Sequence, residues 1–186
     1  MPSRRTFLGW TLGSGACLLT GARATASLAR SLSLAEMVRA SSSCVLATAL
    51  AAESRWETIG PNRRIVTTTR VRVHENWGGL TAEGELLVRT LGGRVGDTGQ
   101  IVHGEAMLLI GQRAGLFLLP EEGGRHALTG MAQGHYPSRR DDRGVERLRR
   151  SPRLPELVDD GGAQAQLAGQ SLVDARKLVR KAFDAR

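Results

Sequence analysis

The sequence predicts a mainly β protein: a small antiparallel barrel of five to seven strands, OB-like in outline. A short helix precedes the barrel and an amphipathic helix follows it. Three observations carry this. Short apolar and β-branched runs follow one another from Cys44 to Met131, parted by Gly-containing turns. No crossover-length helix lies between them, so consecutive strands pair antiparallel and the sheet curls on itself. Helical periodicity appears only outside that region, at 32–40 and 171–183. An open sandwich is the second choice.

The chain begins with a different kind of segment. Ser3-Arg4-Arg5-Thr6-Phe7-Leu8 precedes an uncharged stretch from Phe7 to Leu19, and Ala22-Arg23-Ala24-Thr25-Ala26 closes it on small residues. A charged start, a short apolar middle and an A-x-A-like end describe an export signal. The string resembles the twin-arginine (Tat) consensus at Ser3, Arg4, Arg5, Phe7 and Leu8. Arg4, Arg5, Phe7 and Leu8 are therefore the expected contacts with the Tat translocase. The apolar stretch is too short to cross ~30 Å of hydrocarbon as a helix. Cleavage after Ala24 or Ala26 would leave a periplasmic or secreted protein. Cys17 also invites a lipoprotein reading, but the Leu expected three positions earlier is Ser14.

Residues 1–26 thus form the signal, 27–136 the barrel with its leading helix, 137–170 a charged Pro/Gly-rich linker, and 171–186 the closing helix. Three of the 26 basic residues fall in the signal, which leaves 23 against 18 acids. Only Lys177 and Lys181 are lysine, and much of the surplus sits between Arg139 and Arg153. That is weak support for a nucleic-acid partner, and none is expected. Cys44 is alone in the mature chain, so no internal disulfide forms. No later run is long enough for a transmembrane helix.

Leu32 to Ala40 reads as a helix, with Ser33 and Glu36 at capping-box spacing. Cys44 to Ala52 is a buried apolar strand. Gly60-Pro61-Asn62 makes a turn, and Ile65 to Val73 is almost wholly β-branched. Gly84 to Leu91 is the next strand. A Gly-rich loop from Gly92 to Gln100 leads to an extended piece at Ile101 to His103. Ala106 to Ile110, Leu116 to Leu119 and His126 to Met131 are the remaining strands. Residues 137–163 read as an exposed segment. In the last helix Leu172, Ala175, Val179 and Phe183 share one stripe.

Several strings stand out together: Arg55-Trp56, Thr67-x-x-Arg70-Val71-x-Val73, Glu85 through Gln100, Gly111-Gln112-Arg113, Leu116 to Leu119, and Gly130-Met131-Ala132-Gln133-Gly134. In this order the chain, from Leu32 to about Tyr136, resembles an uncharacterised family of exported bacterial proteins with one small β-barrel each. That barrel is similar in outline to those of tissue metalloprotease inhibitors and netrin modules. The resemblance implies the fold and carries over no catalytic residue. The inhibitor modules' disulfides are missing here.

Candidate chemistry is sparse. Gly93-x-x-Gly96-x-x-Gly99 offers backbone amides for an anion, with Arg94, Asp97 and Gln100 beside them. Gln133 in the second motif completes the ligand-binding candidates. The loop lacks the Lys-Ser/Thr of a phosphate loop and precedes a strand, so glycines permitting a tight corner are the favoured explanation. His103 and Glu105 lie on one side of an extended chain. With His126 or His135 across the sheet they would make a three-ligand metal site. No GxSxG elbow occurs, Cys44 sits in apolar sequence, and no cofactor motif is present. The expected role is a binding or interaction module for a protein or cell-envelope partner, engaged through loops or a sheet edge. A metal-dependent or hydrolytic enzyme built on the His/Glu cluster is the rival.

Overall fold

The structure is a computed structural model and describes residues 30–154 and 162–186. The signal, with Arg4, Arg5, Phe7, Leu8 and Cys17, lies outside the described residues. Helix α1, Leu34–Ala40, starts where expected: the Ser33 hydroxyl accepts from the Glu36 amide, and the Glu36 carboxylate accepts from the Ser33 amide. Strands β1, Ser43–Ile59, and β2, Asn62–Gly79, then form one long antiparallel hairpin. Strand β3 is Glu85–Leu91. A small separate hairpin follows, β4 Gly93–Val95 with β5 Thr98–Gln100. Strands β6, Arg113–Pro120, and β7, Arg125–Leu128, complete the barrel.

Five strands close into a ring in the order β1-β2-β3-β7-β6 and back to β1. Ser43 faces Gly79 on one side and Leu118 on the other. All neighbours in the ring are antiparallel except β3 and β7, which run parallel with Leu87 opposite Arg125. The parallel pair follows from the long connection between β3 and β6. It carries β6 to the far edge of β1, so β7 returns into the gap between β3 and β6. This is the OB-like barrel the sequence predicts, with one parallel seam.

Two cores lie on opposite sides of one wall. Side chains alternate along a strand, so Val45, Ala47 and Ala49 of β1 point into the barrel with Val71, Val88, Leu116, Leu118 and Leu128. Cys44 and Leu46 point the other way, beside Phe117 and Trp77. Onto that outer face pack Met37 and Val38 of α1 and the helices α2, Ala163–Leu167, and α3, Leu172–Asp184. Gly115 of β6 leaves room for Trp77, whose ring lies 3.1 Å from where a Cβ would stand. Phe117 meets Tyr136 edge to face at 5.8 Å. Cys44 is free and buried, and burial pushes its thiol well above the usual range.

Three local expectations change. The segment read as an exposed linker carries β8, His135–Arg140, β9, Glu146–Leu148, and α2. Leu148, Ala163 and Leu167 of that segment are buried in the helix-side core. Its charges turn outward, as Arg147 does to Asp141 at 2.7 Å. Ala106 to Ile110 is not a strand: Ala49 of β1 bonds to Gly111 and Gln112 instead, while Met107, Leu109 and Ile110 stay exposed. Strand β7 stops at Leu128, because Gly130 and Met131 adopt positive φ of 62° and 58° and open a 3-10 turn over Met131–Gly134.

His135 at the start of β8 is buried, and its Nδ1 lies 3.0 Å from the Ser151 hydroxyl. Burial holds its imidazole down at about 4. The unfolded chain binds that proton near pH 6.5 and the folded one does not. Stability is therefore fully present above pH 6.5 and is lost as pH falls toward 4, by about 3 kcal/mol. Glu105, whose carboxyl is raised by burial, acts in the opposite sense near the acid end. Urea midpoints measured between pH 7.5 and 4.5 should fall steadily, and the slope should flatten in His135→Asn. An unchanged slope in that variant would contradict the assignment.

Candidate ligand-binding face

OB-type barrels take ligands on the outer face of their second and third strands, between the loop joining strands 1 and 2 and the loop joining strands 4 and 5. In this chain those are β2, β3, the tip of the β1–β2 hairpin and the turn at Glu122–Gly124 before β7. A groove of about 590 Å³ lies there. Its geometry follows from register. Ala51, Arg70, Leu87 and Arg125 stand in one row across β1, β2, β3 and β7. Glu53, Thr68, Arg89 and Ala127 form the next row on the same face.

The floor is Leu87, 39% exposed. Beside it the Thr68 hydroxyl is buried with no hydrogen-bond partner among the described residues. Arg70 leans 3.5 Å from Glu85, and Glu53 has no ionic partner among the described residues. Past Thr48 strand β1 separates from β6, and the β1–β2 hairpin continues as an arm along one side of the groove.

Glu57 fastens that arm. Its Oε1 accepts from Arg55 at 2.9 Å and from Arg125 at 3.0 Å. Its Oε2 accepts two bonds from Arg89, at 3.2 and 3.1 Å. Arg89 also reaches Glu121 at 3.4 Å. Burial opposes ionisation of Glu57, but hydrogen bonds from Arg55 and Arg89 and the charge of Arg125 outweigh it, and its pKa lies below the usual carboxylate range. Forked bonds between guanidinium and carboxylate fix direction as well as distance. One carboxylate thus ties β1 to β3 and β7.

The Gly-rich loop braces the other face of the arm. Gly93, at φ 131°, lies so close to Ser54 and Thr67 that a side chain there would strike both hydroxyls. The Gln100 amide oxygen accepts from the Ile65 amide at 2.6 Å. Arg94 and Asp97 stand exposed at the hairpin tip, where Arg94 donates to the Gly96 carbonyl and lies 3.8 Å from Asp97. Gln133 is used up internally: it accepts from the Leu32 amide and donates to the Arg30 carbonyl. Arg94, Asp97 and Gln100 share the β4–β5 hairpin, while Gln133 stands on the 3-10 turn after β7.

His103 is exposed on the β5–β6 connection, and Glu105 is half-buried with its oxygens on the amides of Leu91 and Ala106. His126 lies on β7, opposite Val88. Among the described residues no group of three His, Cys, Asp or Glu is placed to hold a metal ion. Sequence reasoning missed Glu57, Arg89, Arg125, Thr68 and Leu87. The only advance signal was the alternation Glu53-x-Arg55-x-Glu57, which marks one charged face but not its distant partners.

The fold and groove define an OB-like barrel with its usual ligand face open. No protein-family model, curated protein or solved structure matches the chain.

Glu57→Gln should cost about 2 kcal/mol in denaturant unfolding, since it leaves two part-buried arginines, Arg89 and Arg125, without their shared charge. Glu53→Gln, on the same strand without an ionic partner, should change stability by less than about 0.5 kcal/mol. Equal effects would remove the clasp from the account.

Proposed function

We propose that this chain is an exported binding module that holds a protein or cell-envelope partner in the groove over β2 and β3. Its Tat-type signal, and its resemblance to exported single-barrel proteins, supply the address: periplasmic or secreted. The single observation that carries the binding reading is the groove itself, at the place where barrels of this topology take ligands. Its chemistry narrows the partner. Arg55, Arg89 and Arg125 are already matched by Glu57 and Glu121, so little free positive charge is left for a phosphate backbone. No aromatic ring lines it for stacking bases. An apolar floor between fixed charges of both signs suits a peptide segment better. Among the described residues no helix is long and apolar enough to cross a membrane.

The test is made in an exporting host. A photo-crosslinking amino acid at Leu87 should give one discrete adduct in the envelope fraction, and Arg4-Arg5 replaced by Lys-Lys should abolish it. The same probe at exposed Val173 of α3 should give none. Adducts at Val173 but not at Leu87 would refute this face as the site.

A further inference from the structure

A second cavity, of about 250 Å³, opens on the opposite side of the same strands. It lies at the barrel mouth, between the inward residues of β2 and β3 and the connection from β5 to β6. It is separate from the groove and shares none of its lining residues.

Its lining carries two residues of opposite charge, Glu105 and Arg153. Thr69, 1% exposed, lines the cavity from β2. Glu105 has one backbone amide on each oxygen but no cation in ion-pair range among the described residues. Burial raises its pKa, although the two amides and the charge of Arg89 pull it down. Arg153, on the segment that follows β9, is half-buried and has no carboxylate within reach among the described residues. Two opposite charges thus line one cavity, and neither makes an ion pair among the described residues. Part-buried charges are ordinarily matched. Leu91, Met107 and Leu108 supply an apolar wall between them. The volume is below the roughly 300–1,000 Å³ of pockets for drug-sized ligands.

We propose that the barrel mouth binds a small zwitterion of the free amino-acid class. Its ammonium group lies against Glu105, its carboxylate against Arg153 and its aliphatic side chain against Met107 and Leu108. The Thr69 hydroxyl supplies a further bond. The ligand completes both ion pairs at once, so it must carry both charges. This reading is independent of the partner proposed for the outer groove.

The full chain should be titrated with leucine and with two analogues that each lack one charged group, isocaproate and isopentylamine. Calorimetry should show saturable binding of leucine and at least tenfold weaker binding of either analogue. Glu105→Gln should erase the preference for leucine over isocaproate, and Arg153→Met the preference over isopentylamine. Arg153 lies outside the strands, so that variant keeps the test decisive if Glu105→Gln fails to fold. Val173→Glu, on the exposed side of α3, should leave leucine binding unchanged. Absence of saturable binding by any of the standard amino acids up to millimolar concentration would overturn the proposal. So would equal binding of leucine and isocaproate, or leucine affinity unaltered in Arg153→Met.

Discussion

From Ser43 to Ala47, strand β1 pairs with β2 along one edge and with β6 along the other, while its side chains are buried on both faces. Val45 and Ala47 help fill the barrel, and Cys44 and Leu46 hold the helical layer. A strand in that position has no solvent face, so every residue in it must be small or apolar. The barrel closes only if β6 reaches this edge, and the helices find an apolar surface only because Cys44, Leu46 and Phe117 are turned toward them. Both cores hang on the same four residues, Cys44 to Ala47. A polar side chain at any of the apolar positions would open one core and, through the shared backbone, loosen the other.

The same strand then makes the outer groove by leaving the ring. Register shifts at Cys44/Val45, Leu46/Ala47 and Ala49/Ala51 bend it, and beyond Thr48 it no longer pairs with β6. The freed arm is held from both faces. Glu57 ties its outer face to Arg89 and Arg125, while Gly93 and the β4–β5 hairpin press against Ser54 and Thr67 beneath. Burying an ion pair contributes little net stability, but it fixes geometry, and geometry is what a groove requires. The barrel mouth lies on the inner side of these strands. Adjacent residues Thr68 and Thr69 therefore serve two different cavities.

Much of this was legible along the chain. The unbroken apolar run from Cys44 to Ala49 fits a strand buried on both faces. The β-branched run of β2, the capping box at Ser33 and the stripe on α3 each specify an element through its own neighbours in sequence. The pairing of β3 with β7 had no such signal, since it depends on where a long connection delivers β6. Charge density also misled: it hid Leu148, Ala163 and Leu167 in a segment that looked exposed. Gln100 and Gln133 resembled ligand contacts because they stand in distinctive motifs. Both instead satisfy main-chain amides that would otherwise be left unpaired. Glu57 was invisible because its partners lie 32 and 68 residues away.

The central claim is that one strand couples the barrel to its helical cover. Native-state hydrogen exchange tests it directly, by comparing the opening free energies of amides in β1 from Ser43 to Thr48, in β6 and in the interior of α3. The account predicts a single shared value close to that of global unfolding, falling together in Leu46→Ala. Exchange from α3 at a much lower free energy, with β1 and β6 still protected, would show that the helices dock on a barrel that stands without them.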